Sequence, residues 1–251
     1  MSRKQHSQPG DSPGSSSPAP EVLSGQSSPA GQGEFGEVGL ADGLPLIEGR
    51  WELPRSWIWS TAADIATIVG GGTPPSKDSD NFTDEGTPWL TPADLTGYKA
   101  TYIAKGARDL TEQGLSKSSA KIVPKGSVLY TSRAPIGYCV IAAKPMATNQ
   151  GFKNFVMTDD MSPEFVRNYL LGAKEYAESL SSGTTFRELS ATRMKGVQIP
   201  VAPKAEQLRI VSAIESLQER SSRAKQALAE VSGLLSQLRQ SVLRGAFSGR
   251  L

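Results

Sequence analysis

The sequence is poor in the side chains that most enzymes use for catalysis and metal binding. Its only histidine is His6 and its only cysteine is Cys139. A lone histidine leaves no candidate for a Ser-His-Asp triad or for a histidine-based metal site. A lone cysteine cannot form an intrachain disulfide and is typical of a reducing compartment, so we expect a cytoplasmic location.

Motifs for nucleotide binding and segments for membrane insertion are missing as well. The sequence has no GxxxxGK[ST] loop, and no GxGxxG follows a predicted strand. No apolar run approaches the roughly 18 residues of a transmembrane helix. The residues after Met1 lack the apolar core of a secretory signal. We therefore expect no membrane span, no metal, no cofactor and no catalytic residue in this chain.

Composition divides the chain into parts of different character. Residues 1–50 are dominated by Ser, Pro, Gly and Gln and have little apolar content, which predicts a disordered tail. Globular character begins at Trp51, and residues 51–202 are long enough to bury a core. A long helix is predicted for residues 203–244, and residues 245–251 are expected to form a short C-terminal tail.

Helix starts and short apolar segments mix within residues 51–202, which predicts an α+β (mixed α/β) domain. Ser60 or Thr61 is a helix N-cap candidate, and the predicted helix continues through Ile68 to the glycines that follow. Ser162, followed by a proline and a glutamate, starts a second helix that keeps one apolar face up to Ser181. Short strands are expected at 89–91, 102–103, 122–123, 128–130, 140–143, 152–156 and 197–200.

The long predicted helix carries a regular apolar seam. Apolar residues recur in alternating steps of four and three, once the polar Ser221 is allowed to fill one position. The seam consists of Ile210, Ile214, Leu217, Ala224, Leu228, Val231, Leu235, Leu238 and Val242. A heptad pattern over more than four heptads is typical of a coiled coil. About 40 helical residues make a rod of roughly 60 Å, which is the shape of an arm or a spacer.

Positive charge is concentrated between Lys99 and Lys153. This window holds nine bases but only two acids, Asp109 and Glu112. Polar and aromatic side chains are interleaved with the bases, and such a mixture suits contacts with the phosphates and base edges of DNA. A solvated lysine-rich face explains the charge equally well, so charge alone leaves both interpretations open.

Seven short motifs in a fixed order are more specific than the charge. They are 71–74 (GGTP), 88–95 (PWLTPADL), 114–121 (GLSKSSAK), 132–137 (SRAPIG), 147–152 (ATNQGF), 182–186 (SGTTF) and 199–211 (IPVAPKAEQLRIV). This array resembles the specificity (S) subunit of type I DNA restriction–modification systems. The resemblance covers about residues 51–251, including the ending 243–249 (LRGAFSG).

The resemblance implies a non-catalytic, sequence-specific DNA-binding subunit that directs adenine methylation and DNA cleavage by partner subunits. Residues 51–202 would bind one half of a split double-stranded target, and the helix would set the distance to the second half. In this family the modification (M) subunits bring S-adenosylmethionine, and the restriction (R) subunits bring ATP-driven translocation and cleavage. S-adenosylmethionine, ATP and Mg are therefore expected on those partners.

Two functions of other classes stay open beside this one. The chain is alternatively a stand-alone dimeric DNA-binding regulator or an anti-restriction protein without enzyme partners. In a third, structural class the basic face is incidental and the rod is a protein-assembly arm. Co-purification with an N6-adenine methyltransferase separates the first function from the others.

The chain departs from the family in having one recognition domain and one helix. Family members usually carry two of each, and their two helices form an antiparallel pair. An unpaired apolar seam is unfavourable in water, so we expect a homodimer that forms through the seam and recognises a palindromic split target. Pairing with a different half-subunit and truncation of a longer gene product are the rival explanations.

Motifs that a whole family shares cannot read a target that varies between its members. We therefore assign 132–137 and 148–152 to loop shape and phosphate positioning. Base reading is expected from the segments between motifs, at 76–84, 96–113 and 138–146. The predicted DNA-binding residues are Lys99, Tyr102, Lys105, Arg108, Gln113, Lys121, Arg133, Asn149, Gln150 and Lys153. Lys99, Lys105 and Arg108 suit guanine edges, and Gln113 suits adenine.

Overall fold

The computed structural model describes residues 52–133, 135–183 and 187–249, except the side chain of Ser232. The predicted disordered tail, residues 1–50, lies outside the described residues. The strands are β1 (Ile58–Thr61), β2 (Ala66–Gly70), β3 (Phe82–Thr83), β4 (Thr87–Leu90), β5 (Tyr102–Ile103), β6 (Arg108–Leu110), β7 (Val128–Ser132), β8 (Ile136–Ala142), β9 (Ala147–Thr148), β10 (Phe152–Met157) and β11 (Gln198–Val201). The α-helices are α1 (Ala62–Ile65), α2 (Glu112–Ser116), α3 (Pro163–Gly172), α4 (Lys174–Ser179), α5 (Ala191–Lys195) and α6 (Lys204–Phe247). The predicted α+β (mixed α/β) class with a long C-terminal helix is confirmed.

A five-stranded sheet in the order β2-β10-β7-β8-β5 forms the centre of the domain. Its side chains alternate between two apolar clusters, as the two-residue period of a strand requires. Tyr130 and Phe155 pack with helix residues such as Val166. Leu129 and Phe152 face the second cluster. Because both faces are covered, the strands β7 and β10 are almost wholly buried, including their polar residues Thr131, Ser132, Lys153 and Asn154.

A second, smaller sheet has four strands in the order β3-β6-β4-β9. Trp89, Leu110 and Ala147 form its buried core. Strand β9 pairs parallel to β4, and the backbone amide of Asn149 donates to the carbonyl of Leu90 over 2.8 Å. Since β10 follows β9 after three residues, the small sheet is connected directly to β10, an inner strand of the central sheet.

The first predicted helix is much shorter than its pattern suggests. Thr61 is the N-cap, as predicted, but α1 ends at Ile65 and residues 66–70 form strand β2. Ile65 and Ile68 have helical spacing, yet the β-branched run from Thr67 to Val69 favours an extended backbone. Antiparallel pairing of β2 with β10 decides the outcome.

Two further predictions need correction in detail. The strand expected at 122–123 is reduced to a single antiparallel bridge between Val123 and Met146. The helix expected from Ser162 to Ser181 is divided at Ala173, whose backbone leaves the helical region at ψ 20°. The predicted strands at 89–91, 102–103, 128–130, 140–143, 152–156 and 197–200 are confirmed within one or two residues at most ends.

Helix α6 begins after Pro203, as predicted, and continues to Phe247, three residues beyond the predicted end. Its first turns are attached to the domain, where Gln207 and Val211 are buried. From Leu217 onwards the large apolar side chains of α6 are exposed, with Leu217 61% and Leu228 70% accessible. Among the described residues, no helix is both long and apolar enough to pass through a membrane.

Candidate nucleic-acid interface

The sequence motifs that are far apart in the chain meet around two glycines. A Cβ atom on Gly71 would lie 1.9 Å from the carbonyl oxygen of Asn149. A Cβ atom on Gly72 would lie 2.2 Å from the backbone nitrogen of Ala120. The Gly72 amide donates to the Thr148 carbonyl over 2.9 Å. Only glycine permits these backbone approaches, so the GGTP motif is the point at which three motif segments come together.

Two other motifs join at the same place. The Ser132 amide donates to the Gly151 carbonyl over 2.8 Å, and the Leu189 amide donates to the Ser132 carbonyl over 2.9 Å. The indole Nε1 of Trp89 donates to the Gly72 carbonyl over 3.0 Å. We refer to residues 71–73, 119–120, 132–133, 148–151 and 187–189 together as the motif hub. The motif at 199–211 lies apart from it, at β11 and the start of α6.

Two cations and one carboxylate lie at the edge of the motif hub. Arg133 Nη1 is 3.5 Å from Glu188 Oε2, and Lys153 Nζ is 3.7 Å from Glu188 Oε1. Lys153 is buried and also donates to Ser132 Oγ over 3.1 Å. Burial lowers the pKa of Lys153, while the Glu188 carboxylate raises it. Arg133 and Glu188 are partly exposed, so they present the accessible charge of the group.

Asn149 and Gln150 occupy different positions in the adjoining turn. The side-chain oxygen of Asn149 accepts from the Gly151 amide over 2.9 Å, which fixes the shape of the turn. The exposed Gln150 accepts from the hydroxyl of Thr73. The structure therefore brings four of the predicted residues, Arg133, Asn149, Gln150 and Lys153, to one edge of the hub, where Arg133 and Gln150 form the accessible surface. Their contacts suit Asn149 and Lys153 to shaping that surface, and Arg133 and Gln150 to touching a ligand.

Three other predicted residues lie in strand β6, just before it and in helix α2, which follows it. The guanidinium of Arg108 lies 4.1 Å over the ring of Phe82. Lys105 Nζ contacts Asp109 Oδ2 at 3.5 Å and the carbonyl of Asp84. Gln113 is half-buried, and its side-chain nitrogen lies 3.4 Å from acceptors of Asp78 and Asn81. The stacked arginine keeps its hydrogen-bonding edges available, whereas Lys105 and Gln113 have partners within the protein.

Aromatic rings connect Arg108 to the motif hub. Phe82 packs on Trp89 with ring centroids 5.8 Å apart, and Trp89 bonds to Gly72 of the hub. Trp89 is also the register partner of Arg108 across β4 and β6. Phe82 and Glu188 are not among the residues predicted from the sequence. Their contacts with Arg108 and Arg133 are long-range, and nothing in the local sequence marks them.

The remaining predicted residues are less closely grouped. Lys99 and Lys121 are exposed. The hydroxyl of Tyr102 donates to Glu164 at the start of α3, and burial together with this carboxylate raises the pKa of Tyr102 to about 12. The segment 138–146, expected to contribute to base reading, is mostly the buried strand β8. Few of its side chains are therefore accessible to DNA.

Comparison with known proteins gives a consistent family. Residues 54–232 match the family described as "Type I restriction modification DNA specificity domain". The MjaIX type I restriction enzyme specificity subunit of Methanocaldococcus jannaschii is 38% identical over 184 residues, covering 68% of this chain and 42% of that protein. The HindI specificity subunit of Haemophilus influenzae is 26% identical over 232 residues, covering 86% of this chain and 50% of that protein.

Solved structures show the same likeness in three dimensions. One match is a chain from a structural study of complex assembly and conformational transition of the type I R-M system. Its TM-score is 0.62 and its identity 26%, over 80% of this chain and 48% of that one. The HsdS subunit from Thermoanaerobacter tengcongensis matches with TM-score 0.60 and 25% identity, over 80% and 47%. This chain thus spans about half the length of the relatives it matches. It belongs to the family of type I restriction–modification DNA specificity domains.

Proposed function

We propose that this chain is the sequence-specific DNA-binding subunit of a cytoplasmic type I restriction–modification complex. The observation that carries the proposal is the meeting of the family motifs in one hub, with Arg133 and Gln150 on its accessible edge. Positive charge and exposed polar groups at a rigid surface are what phosphate binding requires. The chain itself performs no catalysis in this proposal. Partner M and R subunits supply methylation and cleavage, with S-adenosylmethionine, ATP and Mg.

The two surfaces have different tasks in this proposal. The motif hub positions the DNA backbone, because all its segments except 187–189 belong to motifs that the family shares. The small sheet reads bases, because Arg108 lies between motifs and is held in place by the Phe82 ring. Arginine with free edges can bond to the O6 and N7 atoms of guanine, the commonest specific contact in the major groove. The Phe82–Trp89 contact fixes the reader relative to the hub.

Arg133→Ala is expected to weaken binding to all duplex DNA about tenfold at low salt, since one charge-assisted contact is lost. The slope of log affinity against log salt should fall by about 0.9, the value for one phosphate. Fluorescence anisotropy with a random duplex measures both quantities. Arg55→Ala removes an exposed charge near β1 and is the control. An unchanged slope for Arg133→Ala would contradict the phosphate role.

Arg108→Ala should instead relax specificity at one base pair of each half-site. Loss of a guanine contact removes roughly 1–3 kcal/mol of discrimination. Competition between the target and its single-base variants measures this change, and Lys195→Ala, an exposed charge at the end of α5, is the control. Equal loss of affinity for every sequence would place Arg108 among the phosphate contacts.

We further propose that two copies pair through α6, because its exposed seam has no cover within the described part of one chain. Charge along the helix supports an antiparallel arrangement. Residues 204–219 hold two bases and three acids, whereas residues 220–247 hold five bases and one acid. Antiparallel pairing places the basic half of one helix beside the acidic half of the other. A two-fold dimer with identical domains would recognise a palindromic split target.

Partner choice is open to direct measurement. The mass of the complex purified from its source distinguishes a homodimer from pairing with a different half-subunit. Co-purification with an N6-adenine methyltransferase supports the restriction–modification role. A homodimer that binds its target without any such partner supports the regulator or anti-restriction alternative.

A further inference from the structure

Glu188 is the acid at the edge of the motif hub, and each of its two carboxylate oxygens faces a different cation. Oε2 is 3.5 Å from Arg133 Nη1 and Oε1 is 3.7 Å from Lys153 Nζ. Both distances exceed the roughly 2.8 Å of a charge-assisted hydrogen bond. The carboxylate is therefore held mainly by charge, between two cations that face one anion position.

The three side chains differ in how freely they can move. Lys153 is buried and bonded to Ser132 Oγ over 3.1 Å, so its ammonium group stays in place. The Arg133 side chain is 35% exposed and the Glu188 side chain is 43% exposed. Exposed ion pairs contribute little, typically about 1 kcal/mol or less. Another anion that compensates the charge of Lys153 can therefore replace the Glu188 carboxylate at small cost, while Lys153 itself stays in place.

The backbone of Glu188 is fixed by hydrogen bonds, whereas its side chain is partly exposed. Its amide donates to the Ser182 carbonyl over 3.0 Å, and its carbonyl accepts from the Ser182 amide over 3.1 Å. It also forms an antiparallel bridge with Arg133. Moving the carboxylate therefore needs only side-chain rotation, with no change of the hub.

We propose that the Glu188 carboxylate is an internal counterion that occupies the position of a DNA phosphate, and that DNA binding displaces it. The inference rests on the DNA-binding function proposed above. A phosphate diester has two free anionic oxygens, as a carboxylate has, and arginine and lysine bind both groups. In the free protein Glu188 compensates the buried charge of Lys153. In the complex a phosphate takes over that compensation.

The consequence concerns absolute affinity and the time spent on random DNA, while the ratio between specific and random affinities stays the same. Every duplex must displace Glu188, so the carboxylate lowers affinity for all sequences by a similar factor. A specific site offsets this factor with base contacts from the small sheet, whereas random DNA has no such contacts. Glu188 thereby shortens the time spent on random DNA without taking part in base reading.

Glu188→Gln keeps the size of the side chain and removes its charge. We expect it to bind random duplex DNA about three- to tenfold more tightly at low salt, as loss of one competing ion pair implies. The slope of log affinity against log salt should become steeper by up to about 0.9, the value for one phosphate. Glu52→Gln, an exposed acid before β1, should leave affinity and slope unchanged. Fluorescence anisotropy of the full chain measures all three proteins.

The gain must depend on Arg133. In an Arg133→Ala background, Glu188→Gln should give little further gain, because one of the two cations that share the anion position is gone. A gain that persists in full would show a long-range charge effect and overturn the proposal. Unchanged or weaker binding by a Glu188→Gln protein with wild-type melting temperature would also overturn it. Glu188→Ala provides the same test if the glutamine variant folds poorly.

The two levels of the hypothesis fail differently. If the wild-type chain shows no salt-dependent binding to any duplex, the proposed DNA-binding function is wrong, and this inference falls with it. If wild type binds and only the Glu188 variants behave otherwise than expected, the function stands and the counterion role alone is wrong.

Discussion

Leu228→Lys combined with Leu235→Lys is expected to convert a dimer of this chain into monomers. Both side chains belong to the α6 seam and are exposed in the single chain, by 70% and 55%. Burial of a leucine contributes at least about 1.5 kcal/mol, and a dimer buries four of them. The loss of roughly 6 kcal/mol corresponds to about four powers of ten in the dimer Kd. Analytical ultracentrifugation measures the change.

The matched control places the same two charges on the opposite face of the helix. Gln226→Lys combined with Gln240→Lys alters exposed residues outside the seam, so the dimer should persist. Lysine is a good helix former, and the helical circular dichroism of the monomer fold should stay similar. A wild-type chain that sediments as a monomer at micromolar concentration, or a seam variant that remains dimeric, would contradict pairing through α6.

Gln207→Ala is expected to lower the melting temperature of the protein by roughly 6–12 °C. The side chain is almost fully buried. It accepts from the Ser162 amide over 2.8 Å and donates to the carbonyls of Ala202 over 2.8 Å and Asp160 over 3.2 Å. Alanine would leave these buried groups without their partner, at a cost of about 3 kcal/mol in the free energy of unfolding. Differential scanning calorimetry measures the shift.

Gln207 also determines how α6 is attached, since its three bonds join the helix to the start of α3 and the end of β11. The Trp57 indole adds a bond to Glu206 over 3.0 Å. Loss of Gln207 should therefore broaden the range of half-site spacings that the protein accepts. Gln226→Ala, at an exposed position of the same helix, should change the free energy of unfolding by less than about 0.5 kcal/mol. Equal melting temperatures for the two variants would show that Gln207 is not the attachment point.

The long helix and the helix starts could be predicted because their signals are local. The α6 seam repeats over many turns, and Thr61 and Ser162 are N-caps in the structure as their sequence context predicts. Strand β2 could not be predicted, because Ile65 and Ile68 fit a helix and only pairing with the distant β10 settles the question. Local patterns carry no information about such pairings.

In the candidate site, too, some features could be predicted from the sequence and others depend on long-range contacts. The motifs identified the segments that form the hub, and the requirement for glycine at 71 and 72 follows from a backbone approach seen only in three dimensions. Lys153 was predicted as a DNA-binding base, but as the second residue of β10 it is buried and donates to Ser132 Oγ. Arg108 was predicted as a base reader in the segment 96–113 between motifs, and in the structure it begins strand β6 and stacks on Phe82. Its role remains a prediction.

Mapping of N6-methyladenine across the genome of the source organism, with and without this gene, tests the central claim most directly. The proposed function predicts that deletion removes methylation from one split, palindromic target and leaves every other methylated motif unchanged. Complementation with the wild-type gene should restore that target, and the seam variant Leu228→Lys/Leu235→Lys should not. An identical methylation pattern in the two strains would contradict the account.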